Sequence, residues 1–292
     1  MDRYVLTLRC PDQPGIVRSL ATGIGAADGN ILQSAQFSDP GTGQFCMRTV
    51  FESGLGLTGE DPNEHGDTDR VRRVIEGSVV RFDATVGLRR EDVRRRALLM
   101  VSRIDHCLVD LLYRWERDEL PVDLPVVVSN HPDLGPLVER AGVGFEHVPV
   151  TPETKPAAEA RLFELIAEHR VDVVVLARYM QVLSNAACER LAGRAINIHH
   201  SFLPGFKGAR PYHQAHARGV KLIGATAHYV TGDLDEGPII EQDVVRVSHT
   251  ESAADLVKLG RDVERLVLAR AVTAHAEDRV FLTGARTVVF PG

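Results

Sequence analysis

The chain has 292 residues, 44% hydrophobic and 25% charged, the balance of a water-soluble globular protein with room for two domains. Its net charge of -6 offers no general attraction to nucleic acid or to an anionic membrane surface. The apolar runs are strand-sized, and Met1 to Val5 show no basic segment followed by an apolar one, so a cytoplasmic chain without leader or anchor is expected. Cys10, Cys46, Cys107 and Cys188 are scattered without a Cys-x-x-Cys spacing, which favours reduced thiols over disulfides or a metal site.

Residues 4–9 alternate apolar and polar side chains, as a strand does. Pro14-Gly15 opens a helix over 16–27. Gly29-Asn30 ends it and starts a strand over 31–37. Asp39 to Gly43 is hairpin chemistry, and 44–52 is the returning strand. The stretch 53–66, rich in glycine and acids, reads as a surface insertion. A helix over 67–80 and a strand over 81–88 complete a βαββαβ series, the ferredoxin-like unit.

This series, with Asp12-Gln13-Pro14-Gly15-Ile16-Val17 before the helix and Gly29-Asn30-Ile31 after it, resembles the ACT domain, a small module that often binds amino acids. The resemblance covers residues 4–90 and sets the expected first domain at 1–90. It implies an effector site at Asp12, Gly15, Ile16 and Asn30. Backbone N–H groups at the helix start would seat a carboxylate, and Asn30 would take the other end. Glycine or methionine is the effector implied. Pairing of such modules across subunits implies a homo-oligomer, a dimer or tetramer. A module that only dimerises is the alternative, because the same turn suits plain helix capping.

Residues 89–96 form a charged bridge into a second domain, 91–292. Strands are expected over 97–102, 124–129, 145–149 and 171–177, and helices over 105–117, 134–141 and 157–169. Continuous apolar strands alternating with helices mean a mostly parallel, Rossmann-like sheet covered on both faces. Strands over 195–199, 220–230 and 239–247, a helix over 253–276 and a closing hairpin near 280–290 complete the chain. In the strand over 195–199, side chains two apart share a face, so Asn197 and His199 point the same way. Pro204, Gly205, Gly208 and Pro211 form a loop after them. The next strand ends in Gly-Asp-Leu-Asp-Glu-Gly-Pro. An amide, an imidazole and a carboxylate, Asn197, His199 and Asp235, thus stand at strand ends, where open α/β sheets carry their chemistry.

The runs NIHHSFLPGFKGARPYH from Asn197 and GATAHYVTGDLDEGPII from Gly224 resemble the folate-dependent formyltransferases. The family pattern, Asn-x-His on one strand and Asp in a later loop, falls on Asn197, His199 and Asp235. The chemistry agrees, because an oxyanion forms when a formyl group leaves nitrogen, and positioned donors stabilise it by about 3–4 kcal/mol each. LARYMQVLS resembles the family's folate-lining segment, implying folate contacts at Met180, Gln181, Val182 and Leu183, with Val230 and Gly232 from the later loop. His200 stands where the ribonucleotide transformylases have proline, and either shapes the site or fills space. His213, His216 and His228 lack a zinc spacing, so no metal is expected, and no cofactor.

One departure bears on the substrate. The first strand of this domain runs into Val101-Ser102-Arg103-Ile104-Asp105, without the glycine-rich loop that cradles a substrate phosphate. Water is the small acceptor that remains. SRIDHCLVDLLYRW, SNHPDL, LPGFKGARPYHQA and LDEGPIIEQD, with the ACT-like module, resemble the formyltetrahydrofolate deformylases over almost the whole chain. That resemblance implies hydrolysis of 10-formyltetrahydrofolate to tetrahydrofolate and formate, in support of purine synthesis and one-carbon balance. The alternatives are formyl transfer to an amine and a catalytically silent amino-acid sensor.

Overall fold

The computed structural model describes residues 1–55, 66–205 and 211–292. Most of the insertion expected at 53–66 lies outside the described residues, as do Phe206 to Arg210 of the motif loop. The chain forms two compact units.

The first unit begins with β1 (Asp2–Pro11), α1 (Ile16–Ala26), β2 (Gly29–Asp39), β3 (Gln44–Ser53), α2 (Gly66–Val79) and β4 (Thr85–Arg90). The strands pair antiparallel in the order β2-β3-β1-β4. Alternation on β1 buries Tyr4, Leu6 and Leu8, and Ile16, Leu20 and Ile24 recur one turn apart on α1, so both elements feed one core with Phe51, Val71 and Ile75. The last strand begins later than 81. Val80–Phe82 winds a 3-10 turn that buries Phe82, and Asp83, at φ 53°, redirects the chain first. β2 lies at the sheet edge and is exposed along most of its length.

The second unit follows as β5 (Arg95–Val101), α3 (His106–Glu116), β6 (Val122–Ser129), α4 (Gly135–Arg140), β7 (Gly144–His147), α5 (Lys155–Glu168), β8 (Val173–Leu176), α6 (Asn185–Arg190), β9 (Ala195–His199), α7 (Pro211–Ala217), β10 (Leu222–Tyr229), β11 (Ile239–Arg246) and α8 (Ala253–Ala276). Its sheet has the order β11-β10-β9-β8-β5-β6-β7. The run from β9 to β7 is parallel, while β10 is antiparallel to both β9 and β11. Val173, Val174 and Val175 are fully buried, as strands covered on both faces must be. Each such side chain contributes roughly 1.5–3 kcal/mol. The short helices α6 and α7 are additions to the expected elements, since a single turn or two leaves no readable period. Chain order reverses on the two sides of β5, so a switch point lies between β5 and β8.

The closing hairpin, β12 (Val280–Thr283) and β13 (Arg286–Val289), belongs mainly to the first unit. That unit comprises Met1–Arg94, Asp278–Gly284 and Val288–Gly292, and the second comprises Arg95–Glu277 and Ala285–Thr287. The break at 94 falls near the expected boundary at 90, but the division takes the terminal segments back to the first unit. There Phe281 and Phe290 pack with Cys46, and Arg9 Nη1 donates to the Leu282 carbonyl at 2.9 Å. No helix among the described residues is long and apolar enough to cross a membrane.

Candidate active site

The pleat of β9 puts Asn197 and His199 on one face, as their spacing requires. The antiparallel register of β10 sets His228 opposite Asn197 and Thr226 opposite His199. Asn197 Nδ2 lies 3.2 Å from His228 Nε2. The His228 Nδ1 lies 2.9 Å from the Tyr229 carbonyl, which only accepts, so Nδ1 carries the proton. Burial pulls the His228 pKa down and keeps the ring neutral, with the Tyr229 bond and the Asp235 charge opposing weakly. Its bare Nε2 therefore accepts one amide hydrogen of Asn197 and leaves the other free. His228, considered above only as a metal ligand, is an orienting partner that antiparallel register alone reveals.

Asp235 does not stand simply at a strand end. β10 runs back alongside β9, and the loop 230–238 must fold over to return the carboxylate. Two backbone features allow this. Asp235 is left-handed at φ 59°, and Gly237 packs where a Cβ would run into the Tyr229 carbonyl. The result is an Asp235 Oδ1 at 3.0 Å from His199 Nδ1 and 4.0 Å from His228 Nε2. The His199 hydrogen bond, with the charges of the neighbouring histidines, lowers the Asp235 pKa against its burial. Asp235 is thus a carboxylate that accepts the His199 Nδ1–H. His199 is 5% exposed, and its Nε2 has no hydrogen-bond partner among the described residues.

These groups line a cavity of about 320 Å³. Met180, Gln181, Val182, Leu183, Val230 and Gly232 line the same cavity, so all the catalytic and folate-lining residues expected from the sequence converge. Met180, Val182 and Leu234 expose apolar surface there, the kind of surface a flat heteroaromatic ring covers. Ser102 and Glu159 fix this wall. The Met180 amide donates to Ser102 Oγ at 2.9 Å, and Ser102 Oγ donates to Asn130 Oδ1 at 2.7 Å. The Ser184 amide, at the start of α6, donates to Glu159 Oε1 at 2.7 Å. Neither anchor carries a local sequence signal, because each joins segments far apart in the chain.

Residues 95–272 match the family model described as Formyl transferase. The chain is 48% identical over 287 residues to a formyltetrahydrofolate deformylase of Corynebacterium sp. (strain P-1), with 98% of each chain covered. The chain belongs to the formyltetrahydrofolate deformylase family. A crystal structure of a formyltetrahydrofolate deformylase from Burkholderia mallei superposes with a TM-score of 0.92, at 48% identity and with 100% of both chains covered. Glycinamide ribonucleotide transformylase 1 from Symbiobacterium toebii gives a TM-score of 0.63 at 31% identity, covering 69% of this chain and 96% of its own. The deformylase match thus includes both units.

Beside the deformylase-like cavity lies a buried polar cluster contributed by several elements. Glu264 of α8 is 1% exposed and lies 2.9 Å from His106 Nε2, 2.7 Å from the Tyr212 hydroxyl and 3.4 Å from Arg178 Nε. Burial raises the Glu264 pKa, but His106, Arg178 and Tyr212 together outweigh it, and the net shift is downward, so Glu264 is ionised. Gly260, one turn earlier, leaves room for the Tyr212 ring. His200 lines the cavity, and burial with the Arg178 and His199 charges drives its pKa down to about 4. Asp105, where the sequence puts a carboxylate in place of a phosphate loop, is exposed at the start of α3; His106 turns inward instead.

His213 and His216 lie exposed on α7, apart in kind from buried His228. Among the described residues His106, Cys107 and Glu264 come close enough to share a metal ion. Arg178 beside Glu264 opposes a cation there.

The effector residues divide. Gly15, at φ 96°, precedes α1, and Asp12 bonds the Ser38 hydroxyl at one end of the sheet. Asn30 donates to Glu52 Oε1 at 3.2 Å at the other end, eight residues of β2 away. At strand rise that is about 26 Å. One chain does not bring Asp12, Gly15 and Ile16 together with Asn30.

Proposed function

We propose that this protein hydrolyses 10-formyltetrahydrofolate to tetrahydrofolate and formate, supplying formate to purine synthesis and balancing the one-carbon folate pool. The observation that carries the reading is the convergence of Asn197, His199 and Asp235 on one cavity with the folate-lining segment 180–183. Folate lies along Met180 to Leu183, Val230 and Gly232. Asp235 holds His199 Nδ1–H and leaves Nε2 to act on water. As the water oxygen bonds the formyl carbon, its proton passes to Nε2 and the carbonyl electrons move onto oxygen. The free Asn197 N–H and then the protonated His199 hold that oxyanion. Collapse breaks the C–N bond as the His199 proton goes to nitrogen, and the formic acid so formed gives its remaining proton to water and departs as formate. No step uses a metal or a redox cofactor. The test is incubation with 10-formyltetrahydrofolate and no acceptor, with assay for formate. Stoichiometric formate is expected; tetrahydrofolate released only on adding an amine such as glycinamide ribonucleotide, with the formyl group recovered on that amine and not as formate, would make the protein a transformylase.

The first unit, on this reading, is a ferredoxin-like ACT module that binds glycine or methionine between two copies of the chain. Its support is the separation of Asp12, Gly15 and Ile16 from Asn30, which a second copy can close. β2 at the sheet edge, exposed and without charge before Asp39, offers the pairing surface. A cytoplasmic location is supported by Cys10, Cys46, Cys107 and Cys188, all unpaired and buried.

A further inference from the structure

Arg178 is an unusual wall for a cavity. It is 9% exposed, and its buried Nε has no hydrogen-bond partner among the described residues. Its ionic partner among the described residues is Glu264, 3.4 Å from Nε, and that carboxylate is already shared with His106 and Tyr212. A guanidinium offers five N–H donors in a fixed fork that matches a carboxylate. A buried guanidinium N–H without an acceptor is costly, and the fork's remaining donors on the cavity wall are open to a ligand that supplies acceptors. The backbone adds to the cost, for Arg178 holds φ 65°, where glycine is the relaxed residue. His200 lines the same cavity, and its buried Nδ1 also lacks a partner. Its ring is neutral, so it presents one N–H donor and one bare acceptor.

We propose that Arg178 and His200 form a subsite for a small carboxylate within the catalytic cavity, and that its ligand is the formate released there. The inference rests on the hydrolytic reading above for the identity of the ligand. The guanidinium fork receives the two oxygens as neutral formyl becomes anionic formate. Glu264 faces the same guanidinium and keeps the pair neutral when the subsite is vacant.

The probe is ¹³C-formate, titrated into the full-length protein without folate and followed by line broadening. Formamide at matched ionic strength is the neutral control. Saturable broadening by formate and none by formamide is expected. Arg178→Gly suits the φ and deletes the fork, so it should raise the midpoint at least about tenfold, the scale of one lost charge-assisted bond. Arg178→Gln, of similar length and neutral, should do the same if the glycine variant is poorly folded. Arg178→Lys should retain part of the binding. No saturable broadening in the wild type, or a wild-type midpoint in folded Arg178→Gly or Arg178→Gln protein, overturns the subsite. Turnover without formate binding would sink this inference alone. Formate binding without turnover would sink the hydrolytic reading alone.

Discussion

Asn197 has two amide hydrogens, and His228 takes one of them. That division makes a graded prediction. Asn197→Ala, His199→Ala and Asp235→Ala should each lower kcat by at least about a hundredfold, the scale of a lost oxyanion donor or general base. A double variant should lose less than the product, since the groups act as a unit. His228→Ala removes only the orientation of Asn197. It should lower kcat by about tenfold with KM for the folate little changed, and Asn197→Ala/His228→Ala should be no worse than Asn197→Ala. Steady-state kinetics on wild type, Asn197→Ala, His228→Ala and their double variant decide it; additive losses would give His228 a role independent of Asn197. The three catalytic candidates were legible because two lie two apart on one strand and the third sits in a distinctive acidic turn. His228 was visible as a residue but not as a partner. Its role depends on β10 pairing antiparallel with β9, and pairing direction is not written in either strand. Arg178 and Glu264 were illegible for a like reason: 86 positions separate them, and their ion pair exists only after α8 has packed.

At the scale of elements, β2 carries the clearest consequence. It is an edge strand that exposes Ile31, Leu32 and Phe37 and bears no charge before Asp39. Such an edge templates pairing with another strand unless charge or proline blunts it. Leu32→Lys should therefore shift the protein toward monomer in sedimentation experiments. It should also abolish any response of turnover to glycine or methionine while basal turnover stays within about twofold, as expected for an exposed surface substitution. An unchanged oligomer would dismiss β2 as the interface. The βαββαβ series itself was readable from alternation and turn residues. The start of β4 was not, because the 3-10 turn that buries Phe82 follows from packing rather than from a local breaker.

For the whole molecule, acid should act through buried histidine. His200 holds a pKa of about 4, against 6.5 ordinarily, chiefly through burial and then the Arg178 and His199 charges, with Glu264 and Asp235 opposing. In the unfolded chain it takes its proton near the ordinary value. Between these limits the unfolded state binds more protons, so stability falls as pH drops from about 6.5 toward 4 and the effect levels off below. The full effect is of order 3 kcal/mol. Asp235, whose pKa is lowered, adds a loss only at more acid pH, within and below the usual carboxylate range. Denaturant melts of wild type and His200→Gln at pH 7, 5.5 and 4.5 test this. The wild type should weaken more steeply; parallel curves would mean that His200 is protonated in the folded state.

The return of the terminal segments to the first unit has a topological consequence. The catalytic unit is spliced into the other unit's chain, entered after Arg94 and left at Glu277. One proteolytic cut near Arg94 therefore frees neither half: the fragment beginning at Arg95 still carries Phe281 and Phe290, whose place is beside Cys46. Two cuts are needed to excise the second unit, and removing only the last residues takes Phe290 from the core of the first unit. A fusion partner on either terminus is likewise tethered to the first unit, and not to the one that carries Asn197, His199 and Asp235.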